Sequence, residues 1–150
     1  MIQRCPPLDE NSQYCNLLQC LHFSSTSAVA ERSGAVVGFV SGYRLPEAPD
    51  TLFIWQVAVD PAARGLGLGK RLMLDILARP ANAGVRKLHT TVTQDNAASW
   101  AMFENLAAAL DAPHQRSLLF DRDTHFGGRH DSEYLMAIGP FAPPRPALKQ

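Results

Sequence analysis

Residues 51–79, TLFIWQVAVDPAARGLGLGKRLMLDILAR, constrain the fold more than any other part of this chain. They read as strand, glycine loop and helix in direct succession. TLFIWQVAVD is rich in β-branched and aromatic residues and apolar on both faces, the pattern of a strand in the middle of a sheet. Beyond the loop, Leu68, Leu72, Met73 and Ile76 share one helical face, and Pro80 and Gly84 end the run. A helix that starts directly after such a loop offers unpaired N–H groups and partial positive charge at its first turn. Glycines let the backbone close on an anion, so the segment suits a phosphate. Spacing decides which kind. A Walker A loop needs G-x-x-x-x-G-K-[ST], but Arg71 follows Gly69-Lys70, and Arg64 stands where the first glycine belongs. A dinucleotide fingerprint needs G-x-G-x-x-G; Gly65 and Gly67 fit, and Lys70 breaks it. The spacing that holds is [RQ]-x-x-G-x-[GA], met by Arg64, Gly67 and Gly69.

The rest of the chain supplies a sheet and helices around this unit. SQYCNLLQCLHF carries Tyr14, Leu17, Leu18, Leu21 and Phe23 at near-helical spacing. SAVAE, the turn RSG and AVVGFVSGYRL predict a hairpin, and PEAPD a loop. KLHTTVT is a further strand. From Asn96, Trp100, Phe103, Ala107 and Leu110 predict a second amphipathic helix. HQRSLLF and EYLMAIG predict two last strands, joined by the polar loop DRDTHFGGRHDSE; the Pro-rich end from about 140 predicts a frayed tail. A chain of 150 residues without a long linker predicts one α/β domain. Lys and Arg total 14, as do Asp and Glu, so no basic footprint points to nucleic acid or to an anionic membrane surface. Apolar runs fall short of a membrane span, and no signal peptide is visible. Cys5, Cys15 and Cys20, an odd set at one end, read as reduced cytosolic thiols. Asp121, Asp123, His125, His130 and Asp131 lack any zinc-ligand spacing, so no metal is expected.

WQVAVDPAARGLGLG and NAASWAMFENL together resemble the strand–pyrophosphate loop and the following helix of the GNAT acyl-CoA N-acetyltransferases. The resemblance implies the GNAT fold, a central mixed sheet flanked by helices, with acetyl-CoA as co-substrate. Val57, Ala58 and Val59 would run along the pantetheine arm. Arg64, Gly65, Gly67, Gly69 and Lys70 would hold the pyrophosphate, and Asn96 the pantetheine or the phosphates. Two departures stand out. The helix position where many members carry a thiolate-protonating tyrosine is Phe103, and a phenyl ring has no proton to give. Only MIQRC precedes PPLDEN, so the family's N-terminal edge strand has no counterpart and the strand near Ala28 becomes an edge. Either the start is truncated or a partner covers that edge.

CPPLDENSQYC, FVSGYRLPEAPDTLFIWQVAVD and HFGGRHDSEYL resemble a narrower group, the L-2,4-diaminobutyrate acetyltransferases of ectoine biosynthesis, from Cys5 to Gly139. That resemblance implies acetylation of the 4-amino group of L-2,4-diaminobutyrate by a cytoplasmic homodimer. Such an acceptor needs acids for its ammonium groups and a donor or cation for its carboxylate. Asp9 and Glu133 are the expected acids, with Tyr14 as a proton donor in place of the missing tyrosine. Trp55 and His130 would wall the site, and Arg129 would meet the carboxylate. Each has a structural reading too: Asp9 as a helix cap, Tyr14 and Trp55 as core, His130 and Glu133 as solvated loop. Two other functions fit the residues: acetylation of another small diamino acid such as ornithine or lysine, and a non-catalytic CoA-binding sensor.

Overall fold

The computed structural model describes residues 1–6, 8 and 10–144. Its elements are α1 (Gln13–His22), β1 (Ala28–Arg32), β2 (Ala35–Leu45), β3 (Ala48–Val59), α2 (Leu68–Ala78), β4 (Lys87–Thr93), α3 (Ala97–Ala109), β5 (His114–Phe120), α4 (Arg122–Phe126) and β6 (Glu133–Ile138). The strands form one mixed sheet in the order β1-β2-β3-β4-β6-β5. Among the described residues only the β3–β4 pair is parallel. Strand β3 is central, as its two-sided apolar pattern predicts, and β1 is an edge. Helices α2 and α3 close one core with the sheet, around Ile54, Met73, Ile76, Leu88, Leu106 and Met136.

The segment PEAPD is not a loop throughout. Leu45 pairs with Ala48, so Pro46 and Glu47 alone turn the chain and β3 begins at Ala48. The polar stretch between β5 and β6 is not all loop either. Asp121 accepts from the N–H groups of Asp123 and Thr124, which starts the single turn and a half of α4, and Gly127 ends it at φ +57. Local capping by an acid makes this helix, not a hydrophobic stripe, so periodicity could not reveal it. The tail expected to fray from about 140 is anchored at its start. Phe141 is buried in the core and its N–H donates to Arg86 O. Residues 145–150 lie outside the described residues.

The sheet opens where the site must be. Strands β3 and β4 pair from Thr51↔Lys87 only as far as Ile54↔Thr90, although β3 runs on to Val59 and β4 to Thr93. The Thr90 hydroxyl donates to Ile54 O at that last rung. A bulge in β3 sets the divergence: Gln56 faces Ser41 and Ile54 faces Gly42, which leaves Trp55 as the extra residue. Gly42 is required here, since a Cβ would stand 2.5 Å from Phe53 O. Past the bulge the side-chain alternation reverses. Leu52 and Ile54 belong to the main core, while Ala58 packs with Cys5 and Phe39 in a separate cluster.

Helix α1 carries an apolar stripe that the described residues leave open. Tyr14, Leu17 and Leu21 are 71%, 60% and 71% exposed. The one fully buried residue of α1 is Gln19.

Candidate active site

Two cavities fill the gap between the diverging strands. The larger, about 1020 Å³, lies between Trp55, Gln56 and Val57 of β3 and Thr91, Val92 and Thr93 of β4. Its outer wall is the segment Gly128, Arg129, His130, Asp131 and Glu133. The smaller, about 440 Å³, runs from Val57 and Val59 to Arg64, Gly65, Gly67, Gly69 and Lys70. They share a wall made of Leu8, Val57, Asn96, Ala98, Ser99 and Met102. One cavity therefore leads from the glycine loop, and the other from the polar loop, to the same place.

The glycine loop is held ready from behind. Asp60 accepts from Ala62 N–H and is bridged by Arg4 at 2.9 Å, which together hold its carboxyl below the usual carboxylate range. Arg64 Nε donates to Val59 O and ties the loop to the end of β3. Gly65 and Gly67 take φ +77 and +64, a left-handed backbone that side chains oppose. Gly67 is the N-cap of α2, and no side chain caps that end, whereas Ser12 caps α1, Asn96 caps α3 and Asp121 caps α4. The first N–H groups of α2 thus open into the smaller cavity, where a pyrophosphate fits. Gly69 serves packing, since a Cβ there would meet Met102 Sδ at 2.8 Å and Val57 Cγ1 at 3.0 Å.

At the far wall, His130 Nδ1 lies 2.6 Å from Asp131 O. A carbonyl only accepts, so Nδ1 donates this hydrogen bond and the ring's other nitrogen is Nε2. That atom is 3.8 Å from Glu133 Oε1. Glu133 opens β6, paired to Thr93 and Phe120, and its side chain is 20% exposed. The loop before it hangs on α4, whose Asp121 is held acidic by the backbone N–H and then the hydroxyl of Thr124. Asp121 also donates its own N–H to His125 Nδ1, and among the described residues no group of three or more His, Cys, Asp or Glu could hold a metal ion.

The model of the acetyltransferase (GNAT) family matches residues 2–108. This chain belongs to that family. Within it, the acetyltransferase belongs with the L-2,4-diaminobutyric acid acetyltransferases. It is 52% identical over 141 residues to the one from Methylotuvimicrobium alcaliphilum, spanning 94% of this chain and 82% of the relative. It is 49% identical over 142 residues to the one from Halomonas elongata, spanning 94% and 73%. Among solved structures it is similar to the diaminobutyrate acetyltransferase EctA from Paenibacillus lautus, in complex with L-2,4-diaminobutyric acid and coenzyme A. That match has a TM-score of 0.85 and 38% identity and covers 89% of this chain and 81% of that one. The ribosomal-protein-S18-alanine N-acetyltransferase from Escherichia coli, at 19% identity and a TM-score of 0.68 over 93% and 83%, shares the fold.

The residues expected from the sequence fall into three groups in this acetyltransferase. Arg64, Gly65, Gly67, Gly69, Lys70, Val59 and Asn96 line the smaller cavity, and Trp55, Phe103, Arg129, His130 and Glu133 the larger, with Val57 and Asn96 on both. The Ala58 side chain points away, into the cluster with Cys5 and Phe39. Tyr14 sits exposed on α1 and lines neither cavity. Asp9 lies outside the described residues. Asn96 has a local task as well, for its Oδ1 accepts from Ser99 N and caps α3. Sequence reasoning passed over Thr91, Thr93, Gln56, Ser99 and Arg122, all on the larger cavity. Alternation along KLHTTVT places Thr91 and Thr93 on one face, and Ser99 stands one helical turn before Phe103.

Proposed function

We propose that this chain transfers the acetyl group of acetyl-CoA to the 4-amino group of L-2,4-diaminobutyrate, giving N4-acetyl-2,4-diaminobutyrate, which is cyclised to ectoine. The observation that carries this reading is the shared wall between the two cavities. A donor entering along the glycine loop and an amine entering past the polar loop meet there without a carrier residue. Both substrates bind before transfer, and the amine attacks the thioester directly. The oxyanion is stabilised by a backbone N–H between Val57 and Val59, along the part of β3 that β4 does not reach. Glu133, with His130 Nε2 3.8 Å from its Oε1, takes the proton that the 4-ammonium must lose; Asp9 is the second acid for this acceptor. Arg129 meets the carboxylate and Trp55 walls the site. A cysteine relay has little support, because Cys5 is buried and its thiol donates to Val59 O.

Release of free thiol from acetyl-CoA, followed across diaminobutyrate, ornithine and lysine with the acetylated nitrogen located by NMR, tests the reading. Diaminobutyrate should give the highest kcat/KM, with N4 acetylated. A one-methylene difference is worth only about 1–3 kcal/mol in such a pocket, so ornithine should lag about 10- to 100-fold. Preference for ornithine or lysine would move the assignment to another diamino acid, and no thiol release with any of them would favour a CoA sensor.

The chain is further proposed to work as a homodimer in the cytoplasm. Among the described residues no helix is long and apolar enough to cross a membrane. The open stripe of Tyr14, Leu17 and Leu21, and the edge strand β5 with Leu118 51% and Phe120 43% exposed, are apolar surface that a second copy can cover. Light scattering should give twice the 16.4 kDa of the chain; a mass of one chain at micromolar concentration sinks this part.

A further inference from the structure

Transfer leaves a CoA thiolate, and Phe103 cannot protonate it. Its proton comes from water or from a side chain at the junction of the two cavities, where the reading above puts the breaking C–S bond. The wall they share consists of Leu8, Val57, Asn96, Ala98, Ser99 and Met102. Four of these side chains have no acidic proton. The Asn96 amide is a donor but not an acid, and its oxygen is spent on Ser99 N. Among the described residues of that wall, Ser99 carries the one hydroxyl. Other hydroxyls nearby do not compete. Thr91 and Thr93 line the acceptor cavity alone, Thr90 is committed to Ile54 O, and Tyr14 reaches neither cavity. Ser99 is half-buried in the first turn of α3, one turn before Phe103, and both face the larger cavity.

We infer that Ser99 is a catalytic residue that relays the proton from the attacking amine to the departing CoA sulfur. The inference rests on the acetyl-transfer reading above. After the C–N bond forms, the nitrogen still carries a proton it must lose, and the sulfur on the same carbon must gain one. A single hydroxyl between them does both. As the C–S bond breaks, Oγ–H passes its proton to sulfur, and Oγ takes one from nitrogen. The serine ends as it began, so no alkoxide forms despite its high intrinsic pKa. The products are the amide and neutral CoA thiol. Glu133 removes the earlier proton, from the ammonium before attack, so the two groups act on different steps. A hydroxyl one turn before Phe103 on the same helix thereby does what the phenyl ring cannot.

Single-turnover thiol release tests this in Ser99→Ala and Ser99→Thr, with acetyl-CoA and diaminobutyrate saturating and melting temperatures measured alongside. Ser99→Ala should slow the single-turnover rate by about 10²-fold, the scale of general acid–base help. Its KM for acetyl-CoA should stay within about threefold, since only the transition state loses a contact. Ser99→Thr keeps the hydroxyl and should retain at least about a third of the wild-type rate. A Ser99→Ala rate within about threefold of wild type overturns the relay. So does a Ser99→Thr rate as low as that of Ser99→Ala, or a loss confined to KM, either of which marks a packing role. A wild-type enzyme that releases no thiol with diaminobutyrate overturns the acceptor reading instead, so the two failures are told apart.

Discussion

Glu133→Gln should lower kcat/KM for diaminobutyrate by about 10²-fold or more while the KM for acetyl-CoA stays within about twofold. The substitution keeps the shape of the side chain and one carbonyl oxygen, and removes the charge. Glu133 stands at the first residue of β6, fixed by pairing on both sides, to Thr93 and to Phe120. Its Oε1 lies 3.8 Å from His130 Nε2, and the hydrogen bond from Nδ1 to Asp131 O holds that ring in place. A neutral amide there can still accept a hydrogen bond from the ammonium but no longer draws off its proton or balances its charge. The loss should therefore fall on the acceptor and be partly recovered at high pH, where more of the 4-amine is already neutral. Steady-state thiol release with each substrate varied, between pH 7 and pH 9.5, separates the terms. Unchanged diaminobutyrate kinetics would put the acceptor site somewhere else in the cleft.

The half of the site that binds the donor was more legible in the sequence than the half that binds the acceptor, and the reason is physical. The glycine loop is contiguous. Its function follows from backbone N–H groups and left-handed dihedrals, and both leave a trace in residue type and spacing over a few positions. Gly65 and Gly67 have the positive φ that such a loop needs. Strands β2, β4 and β5 also fall where the sequence predicts them, at 35–45, 87–93 and 114–120. The acceptor half is assembled from β3, β4 and the loop before β6, far apart in the chain. No local pattern announces that Trp55 is the extra residue of a bulge, yet that bulge is what separates β3 from β4. Glycine 42 was the available sign, because a glycine inside an apolar strand often faces a bulge.

Exposure is the other thing that periodicity cannot tell. The spacing of Tyr14, Leu17 and Leu21 is helical, and a helix forms, but that stripe faces outward while Gln19 is buried. An apolar stripe marks a surface to be covered and does not say by what. Resemblance makes Tyr14 a candidate proton donor, and the structure places it exposed on α1, lining neither cavity. Ser99 is the converse case. It is an ordinary serine near a helix start, and becomes noticeable only when the two cavities are seen to meet beside it.

Gly67→Val should raise the apparent KM for acetyl-CoA by about 10- to 100-fold and leave the KM for diaminobutyrate within about twofold. Space is not the obstacle, for a Cβ at Gly67 would meet nothing within 4 Å. The obstacle is the backbone: Gly67 holds φ +64 and ψ +22 as the N-cap of α2. A β-branched residue in that region costs about 1–3 kcal/mol. The loop can escape the strain by abandoning the left-handed turn, and the first N–H groups of α2 then no longer point together into the smaller cavity. At about 1.4 kcal/mol per tenfold, the strain and the lost anion contacts correspond to the stated range. Asparagine tolerates the left-handed region far better than valine, so Gly67→Asn should fall between wild type and Gly67→Val. That order distinguishes a backbone requirement from a steric one, which would rank the two variants by bulk with little difference between them. Titration of each variant with CoA by calorimetry gives the same ranking without turnover. A Gly67→Val protein that binds CoA as well as wild type would show that the pyrophosphate is held elsewhere than at this helix start.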